Sequence, residues 1–422
     1  MIRDRASWSV VDERGFSLAE MLIAVGVMLA VTAGIFSVLN PAHGTFQAQP
    51  EIADMQQRMR IGVDTLKKDL IMAGAGAYMG SQTGSLMNFF SPILPYRQGA
   101  NAALDDGPGV FPCTTGNPAC STSVTDRITL MYVPQTTAQT TITQPMPNVS
   151  AELKVADIPG CPAGQALSCD PFGFKEGLNV LIYDATGAYD TMTITQVQDN
   201  AGHLQHNQQG PLSKAYDSGA KITQIAQNTY YYNLATNQLM HYDGSNTGVG
   251  VPVVDNVVAL SFEFWGDPNP PAIKDAALTP RPSVTYGPSP PALGVPDGTA
   301  WPAGTNCTID VQGNPAQQVS RLPLLGAVAG GLVKLNDPTN AQTSLTDGPW
   351  CPDANNINRW DADLLRIRKI TVTLRVQAAL ATLRGPAGTL FTNGGTSKAA
   401  NMLAPDQEVK FDVTPRNLNL GR

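Results

Sequence analysis

The fold of this chain is decided by residues 14–39, which read RGFSLAEMLIAVGVMLAVTAGIFSVL. From Leu18 to Leu39 the only ionisable side chain is that of Glu20. A helix rises about 1.5 Å per residue, so a helix over this run covers roughly the 30 Å hydrocarbon core of a bilayer. The stretch therefore predicts a single transmembrane helix.

The carboxylate of Glu20 is the unusual feature of this helix. A charged carboxylate inside a membrane costs about 2.5–3.5 kcal/mol, and such a residue normally has a partner. The apolar segment offers none within itself, and the nearest candidate is an amine created by cutting the chain just before Phe16. The alternative is an uncleaved anchor in which Glu20 extends to the cytoplasmic interface.

Residues 15–20, which read GFSLAE, and the apolar run after them resemble the class III signal of type IV prepilins and pseudopilins. In that family a dedicated prepilin peptidase cuts after the glycine and methylates the new N-terminal phenylalanine. The resemblance implies a leader over residues 1–15, cleavage between Gly15 and Phe16, and N-methylation of Phe16. It also implies an assembly role for Glu20, which would pair with the N-terminal ammonium of a neighbouring subunit.

The placement of charge predicts the orientation of the helix. Arg3, Arg5 and Arg14 precede the apolar run, and the next Lys or Arg is Arg58. The positive-inside rule then places the N-terminus in the cytoplasm and the rest of the chain outside. An ordinary secretory signal is the competing interpretation, but it has a shorter apolar core and a small-x-small cleavage site, which residues 40–43 (NPAH) do not provide.

Length and composition narrow the functional classes. The 422 residues suffice for one large domain or two. A net charge of -7 and a pI of about 5.1 disfavour nucleic acid as the main partner. Only 14% of the residues are charged, while there are 39 Gly and 33 Pro, a composition that fits an exported, β-rich protein better than a cytosolic enzyme.

No catalytic or metal-binding motif stands out in the sequence. His-Glu-x-x-His, Gly-x-Ser-x-Gly and P-loop patterns are missing, so we expect neither an enzyme nor a bound cofactor or metal. Residues 353–363 are rich enough in oxygen ligands for calcium, but the EF-loop order fails at Ile357, and the question stays open.

The six cysteines fall into three local groups and suggest three disulfides beyond the membrane. Six cysteines allow fifteen pairings. Pairing in sequence order is the prediction, and free thiols among them are the alternative. The predicted pairs are Cys113 with Cys120, Cys161 with Cys169, and Cys307 with Cys351.

Proline and apolar spacing predict how the N-terminal part continues. Asn40-Pro41 is predicted to interrupt the transmembrane and assembly helix, residues 16–40, because proline lacks an amide donor. A second, amphipathic helix within residues 41–80 begins near Pro50 and is ended by Gly74 and Gly76. One apolar stripe follows a spacing of three and four residues: Ile52, Met55, Met59, Val63, Leu66, Leu70 and Ala73.

Strand signals dominate the remainder. We predict a β-rich domain over residues 81–265, a Pro/Gly-rich insertion over residues 266–350, and C-terminal strands within residues 351–422 that complete the domain. Alternation and β-forming residues predict strands at 126–133, 178–183, 191–197, 221–225, 229–232, 238–242, 251–265, 367–377 and 410–413.

The order of these elements resembles PilW-type minor pilins, relatives of the J-type minor pseudopilins of type II secretion. The resemblance implies an α+β, pilin-like fold, with a long N-terminal helix packed on an antiparallel sheet domain. It implies a minor pilin that helps to initiate or cap a type IV pilus by helix packing in the membrane.

The implied partners are prepilin peptidase, other major and minor pilins and the inner-membrane assembly platform. The implied location is a bacterial inner membrane followed by a pilus or pseudopilus tip. A secretion pseudopilin, or a membrane-anchored adhesin or enzyme that uses a prepilin signal, remains the alternative.

Overall fold

A computed structural model describes most of the chain after residue 14. The described residues are 15–76, 85–95, 127–134, 138–206, 212–243, 250–272, 286–297, 301–326, 331–337, 345, 348–351, 360–384 and 404–418, with the backbone path alone for 40–45. Within them the chain forms an N-terminal apolar helix followed by a mostly antiparallel β domain. The predicted α+β class is therefore confirmed.

One continuous helix, α1 (Leu18–Met72), spans both predicted helical segments. The predicted interruption at Asn40–Pro41 is wrong, and the helix predicted from Pro50 is the continuation of the first. Proline removes one backbone donor and more often kinks a long helix than ends it, because the hydrogen bonds on both sides remain. One missing donor is therefore not enough to end a helix of this length.

The helix ends where the glycine signal predicts. Gly74 has a φ of +79°, which an L side chain rarely adopts, and its amide donates to the Met131 carbonyl at 3.0 Å. A Cβ at this position would lie 2.8 Å from Cδ2 of Leu418, near the C-terminal end of the described chain. Glycine is therefore required both by the backbone turn and by the close packing.

The β domain contains short and medium strands. In chain order they are β1 (Ile93–Pro95), β2 (Arg127–Tyr132), β3 (Gln139–Thr141), β4 (Leu153–Lys154), β5 (Asn179–Tyr183), β6 (Tyr189–Gln198), β7 (His203–His206), β8 (Lys221–Gln224), β9 (Ala226–Asn233), β10 (Gln238–Tyr242), β11 (Val251–Asp255), β12 (Val257–Gly266), β13 (Ile309–Gln312), β14 (Gln317–Ser320), β15 (Val333–Lys334), β16 (Trp350–Cys351), β17 (Trp360–Asp361), β18 (Ile367–Val376) and β19 (Gln407–Val413). Short 3-10 turns lie at Leu86–Asn88, Ala362–Arg366 and Arg416–Leu418.

Two antiparallel sheets hold the helix. The first has the order β1-β2-β9-β10-β11 and the second the order β15-β12-β18-β19. Helix α1 packs on β2 and β11 of the first sheet and on β18 and β19 of the second. From the predicted stripe, Met55, Leu66, Leu70 and Ala73 are fully buried, so the amphipathic pattern identifies the face that packs on the sheets.

The predicted strand over residues 251–265 is in fact two strands in different sheets. Asn256 separates them with a φ of +57°, a conformation that asparagine tolerates better than most residues. β11 pairs with β10, whereas β12 pairs with β18. The apolar run is continuous across the break, so the pattern alone could not reveal the change of sheet.

The described residues of 138–206 and 212–225 form a closed barrel that the sequence analysis did not predict. Its strands have the order β3-β8-β5-β6-β7-β4. An antiparallel bridge between Ile142 and Val155 joins the two ends of this order, with Thr143 N–H donating to Lys154 O at 2.9 Å. Closure removes the exposed strand edges, and the barrel encloses its own apolar core around Phe174.

The barrel packs on the main core through aromatic rings. Val180 and Ile182 of β5 point into the barrel core, whereas Leu181 and Tyr183 belong to the main core. On the outer face of the barrel, the ring of Tyr189 in β6 stacks on the ring of Phe90, with centroids 4.6 Å apart. One strand therefore contributes to two cores through the alternation of its side chains.

The predicted Pro/Gly-rich insertion contributes to the core as well as to the surface. Its described parts contain the β13–β14 hairpin and strand β15, which pairs with the end of β12. Tyr286, Leu322, Leu325 and Leu335 are buried in the main core. As the proline content predicts, its described strands are short and do not form one continuous sheet.

The barrel contains a loop, residues 161–169, that is closed by the Cys161–Cys169 disulfide, and the carboxylate of Asp199 bonds to its C-terminal part. Asp199 Oδ1 accepts from the amides of Leu167 (2.7 Å) and Ser168 (2.9 Å), and Oδ2 accepts from Ser168 Oγ at 2.6 Å. Burial raises the pKa of Asp199, but these hydrogen bonds outweigh it and the net pKa is lowered. A carboxyl group whose pKa is lower in the folded state stabilises the fold at pH values above its ordinary pKa of about 4. This stabilisation is lost as the pH falls through the pKa of the folded state.

We expect Asp199→Asn to lower the protection of the loop amides from hydrogen exchange already at pH 7. We also expect the further loss of protection between pH 7 and pH 3 to be smaller than in the wild type. Hydrogen exchange of the loop amides at pH 7 and pH 3 measures both effects, with the exposed carboxylate variant Asp157→Asn as control. Equal acid sensitivity in wild type and Asp199→Asn would contradict the assignment.

Candidate functional site

The candidate site begins where helix α1 begins. Ser17 is the N-cap residue: its Oγ accepts from Glu20 N–H at 3.2 Å, and its own N–H donates to Glu20 Oε2 at 2.9 Å. This reciprocal pair is a capping box, and it satisfies two backbone donors at the helix terminus. The structure thus gives Glu20 a local partner that the sequence analysis missed, although the Ser-x-x-Glu spacing signals it.

The predicted cleavage and methylation residues precede the cap. Gly15 has no neighbouring atom within 4 Å of the position where a Cβ would lie, and the Phe16 side chain is 91% exposed. The Gly15–Phe16 bond thus lies outside the helix in an accessible segment. Of the predicted leader over residues 1–15, residues 1–14 lie outside the described residues.

The apolar run Leu18–Leu39 is long and apolar enough to cross a membrane. None of its residues is buried within the protein, so the run contributes nothing to the described core. The hydroxyls of Thr32 and Ser37 donate at 2.7 Å to the carbonyls of Met28 and Gly34 within the same helix. The segment therefore presents an apolar surface whose hydroxyl groups are satisfied internally.

Two of the three predicted cysteine pairs lie at disulfide distance. Cys161 and Cys169 are bonded within the barrel, with a Cα–Cα distance of 5.6 Å. Cys307 and Cys351 are bonded, with a Cα–Cα distance of 5.1 Å, and both are fully buried. Cys113 and Cys120 lie outside the described residues.

The acidic residues near residue 360 that the structure describes accept hydrogen bonds from, or lie beside, groups of the protein itself. Asp361 accepts from the amides of Gly348 (2.8 Å) and Asp363 (2.7 Å). Asp363 lies 2.6 Å from Nε of Arg366. The part of the cluster at residues 353–358 lies outside the described residues, and elsewhere in the described chain no group of three or more metal-ligating side chains occurs.

A buried polar network at the other end of α1 was not foreseen. The Asp69 carboxylate accepts from Tyr132 Oη (3.1 Å), Asn228 Nδ2 (2.8 Å) and Tyr230 Oη (2.6 Å). His241 Nε2 lies 3.0 Å from Asn228 Oδ1 and extends the network. Burial and the adjacent Asp69 carboxylate raise the pKa of Tyr132 to about 12. The donors come from distant strands, so no local sequence pattern could identify them.

The candidate site is thus the N-terminal segment, which combines an accessible Gly15–Phe16 bond, a capped helix start with Glu20, and an apolar span that the protein does not bury. Its chemistry suits insertion into an apolar environment and contact with other helices. Comparisons with protein-family models, curated proteins and solved structures find no match for this chain.

Proposed function

We propose that this protein is a minor pilin of the type IV filament superfamily, cleaved between Gly15 and Phe16 and held in the membrane by Leu18–Leu39 before it enters a filament. The observation that carries the proposal is the unburied apolar span, which has one carboxylate, that of Glu20, at its start. An apolar surface of this size needs a lipid or protein partner. In a membrane a cation would further stabilise the Glu20 carboxylate, beyond the local bond from the Ser17 amide.

The continuity of α1 supports an assembly role beyond simple anchoring. A flexible tether is enough to hold a domain at a membrane. Here 55 helical residues, about 80 Å in length, run from the apolar span into the buried face on the β domain. A rigid connection of this kind fixes the position of the β domain relative to the membrane helix when such helices pack side by side. It also supports the assignment of the α+β fold as pilin-like.

The capping box and the proposed assembly role of Glu20 are compatible. Cleavage before Phe16 leaves Ser17 and its cap intact and creates an ammonium one residue earlier. The bond to Ser17 uses Glu20 Oε2. A carboxylate has about four lone-pair sites, so the same side chain can accept from a neighbouring subunit's ammonium. The attraction is much stronger in an apolar environment than in water.

Two variants test the proposal. Glu20→Gln removes the charge and keeps a side-chain oxygen for the cap, whereas Ser17→Ala removes the cap and keeps the charge. We expect Glu20→Gln to insert normally but to fall at least about tenfold in sheared filaments, equivalent to about 1.4 kcal/mol. Ser17→Ala is expected to incorporate near the wild-type level.

The readout is the ratio of filament-bound to membrane-bound protein, with the mature mass measured in the membrane fraction. Wild-type incorporation of Glu20→Gln would refute the assembly role. An equal loss of filament incorporation in both variants would show that Glu20 acts only through the helix cap. Recovery with a secretion apparatus in place of a surface filament would assign the protein to the pseudopilin alternative.

A further inference from the structure

We infer that Arg58 and Asp69 set the register of helix α1, which means its axial position and rotation on the two sheets. The two residues lie about three turns apart on one line of the helix. Each is bonded to strands far away in the sequence. This inference concerns the described domain alone and does not depend on the proposed function.

Arg58 bonds the helix to the ends of two strands in different sheets. Its guanidinium donates to the carbonyl of Asp255 at 3.2 Å, where β11 ends, and to that of Gln377 at 3.4 Å, directly after β18. Asp54 (2.7 Å) and Glu51 (3.3 Å) balance its charge from the same helix. Glu51 Oε1 also accepts from the backbone amide of Ala379. The contact is thus directional at both sheets.

Asp69 provides the second contact, in a buried position. It accepts from Tyr132 in β2 and from Asn228 and Tyr230 in β9, at 2.6–3.1 Å. Its exposed fraction is 6%, so little water can replace a lost donor. A displacement of the helix would leave a buried carboxylate without its donors, which is strongly unfavourable.

The spacing of the apolar stripe specifies the register of the helix only weakly. The side chains of the buried stripe recur every three or four residues, so a shift by one turn, about 5.4 Å, places similar residues in similar grooves. The close approach at Gly62, where a Cβ would lie 2.9 Å from Leu374 Cδ2 and 3.0 Å from Val254 Cγ2, opposes such a shift sterically, because one turn would bring a residue with a side chain to this point. Arg58 and Asp69 add directional bonds to this steric restriction. A buried polar group is the best-attested device for selecting among such registers.

The register has a consequence at the other end of α1. Because the helix is continuous, a shift of one turn at the sheets moves the whole β domain by the same distance relative to Glu20 and the apolar span. Arg58 and Asp69 therefore act as positioning residues for the N-terminal segment. In a filament, if the proposed function holds, they would set the height of the β domain above the packed helices.

The test measures the register directly in the full chain in detergent. Spin labels are attached at Lys67→Cys on the exposed side of α1 and at Glu408→Cys on β19, and pulsed electron resonance gives their distance. We expect one narrow distance in the parent chain. In the Arg58→Met/Asp69→Asn variant we expect a second population, displaced by up to about 5.4 Å. The matched control Arg60→Met/Asp64→Asn changes two exposed residues on the same helix and should keep the single distance.

An unchanged single distance in the folded double variant would overturn the inference, because apolar packing would then suffice. If the double variant fails to fold, the single variant Arg58→Met is measured under the same conditions. A second population is again expected, and one unchanged distance again overturns the inference. The outcome is independent of filament incorporation, so it stands or falls separately from the proposed function.

Discussion

Replacing Arg366 by methionine should lower the free energy of unfolding by about 3–5 kcal/mol, the cost of leaving one member of a buried ion pair without its partner. Arg366 is fully buried, and its Nε lies 2.6 Å from Asp363 Oδ1. Methionine matches much of the side-chain volume, so the loss would come from the charge and hydrogen bonds more than from a cavity.

The hydrogen bonds of Arg366 explain why the effect should extend beyond the pair. Its guanidinium donates to the carbonyl of Pro268 at 2.9 Å, just after β12, and to that of Pro323 further along the Pro/Gly-rich segment. The residue thus connects two distant parts of this segment to the start of β18. Loss of these bonds leaves buried carbonyls unsatisfied, which adds to the cost.

Denaturant unfolding of the full chain in detergent measures the change, with the exposed Arg416→Met as control. The double variant Arg366→Met/Asp363→Leu should be more stable than Arg366→Met alone, since it removes the uncompensated carboxylate. If Arg366→Met lowers the free energy of unfolding by less than about 1 kcal/mol, its contacts contribute no more than an ordinary surface ion pair. That result would contradict the assignment of Arg366 and Asp363 as a stabilising buried ion pair.

Local signals in the sequence predict the local structure well. The strand Gln238–Tyr242 and the buried stripe from Met55 to Ala73 follow from alternation and from helical spacing, because each depends on neighbours within about two turns or one strand. The helix end at Gly74 follows from a backbone conformation that glycine favours.

Long-range organisation is not contained in such patterns. Closure of the barrel depends on the bridge between Ile142 and Val155, which exists only once six strands have curled around one core. The break at Asn256 depends on a single positive φ, and the continuity through Pro41 depends on the helix on both sides. Barrel closure is set by contacts that a window of sequence does not include, whereas the other two outcomes are set by the backbone conformation at one residue, which the apolar pattern does not report.

The candidate site divides in the same way. The apolar span and its lone carboxylate can be identified from composition, because a membrane acts on every residue of the segment alike. The capping bond between Ser17 and Glu20 lies within one helical turn and is signalled by the Ser-x-x-Glu spacing, which composition alone does not show. The contacts of Asp69 could not have been predicted, since its partners Asn228 and Tyr230 lie more than 150 residues away.

The disulfide between Cys307 and Cys351 is expected to contribute more stability than that between Cys161 and Cys169. The chain-entropy account assigns about 4 kcal/mol to a loop with a sequence separation of 44 and about 2.5 kcal/mol to one of 8. The longer loop also restrains the Pro/Gly-rich segment, whose described residues form only short strands. Its removal should therefore loosen the main core, whereas removal of the shorter one should affect the barrel.

Paired alanine variants separate the two contributions: Cys307→Ala/Cys351→Ala against Cys161→Ala/Cys169→Ala, unfolded by denaturant without reductant. Each variant leaves the other disulfide in place and serves as its control. If the native packing is kept in both variants, we expect their losses in the free energy of unfolding to differ by about 1.5 kcal/mol. This difference would then come from the lengths of the two closed loops. An equal or reversed order would show that packing around the buried sulfurs, and not loop closure, determines what each bond contributes.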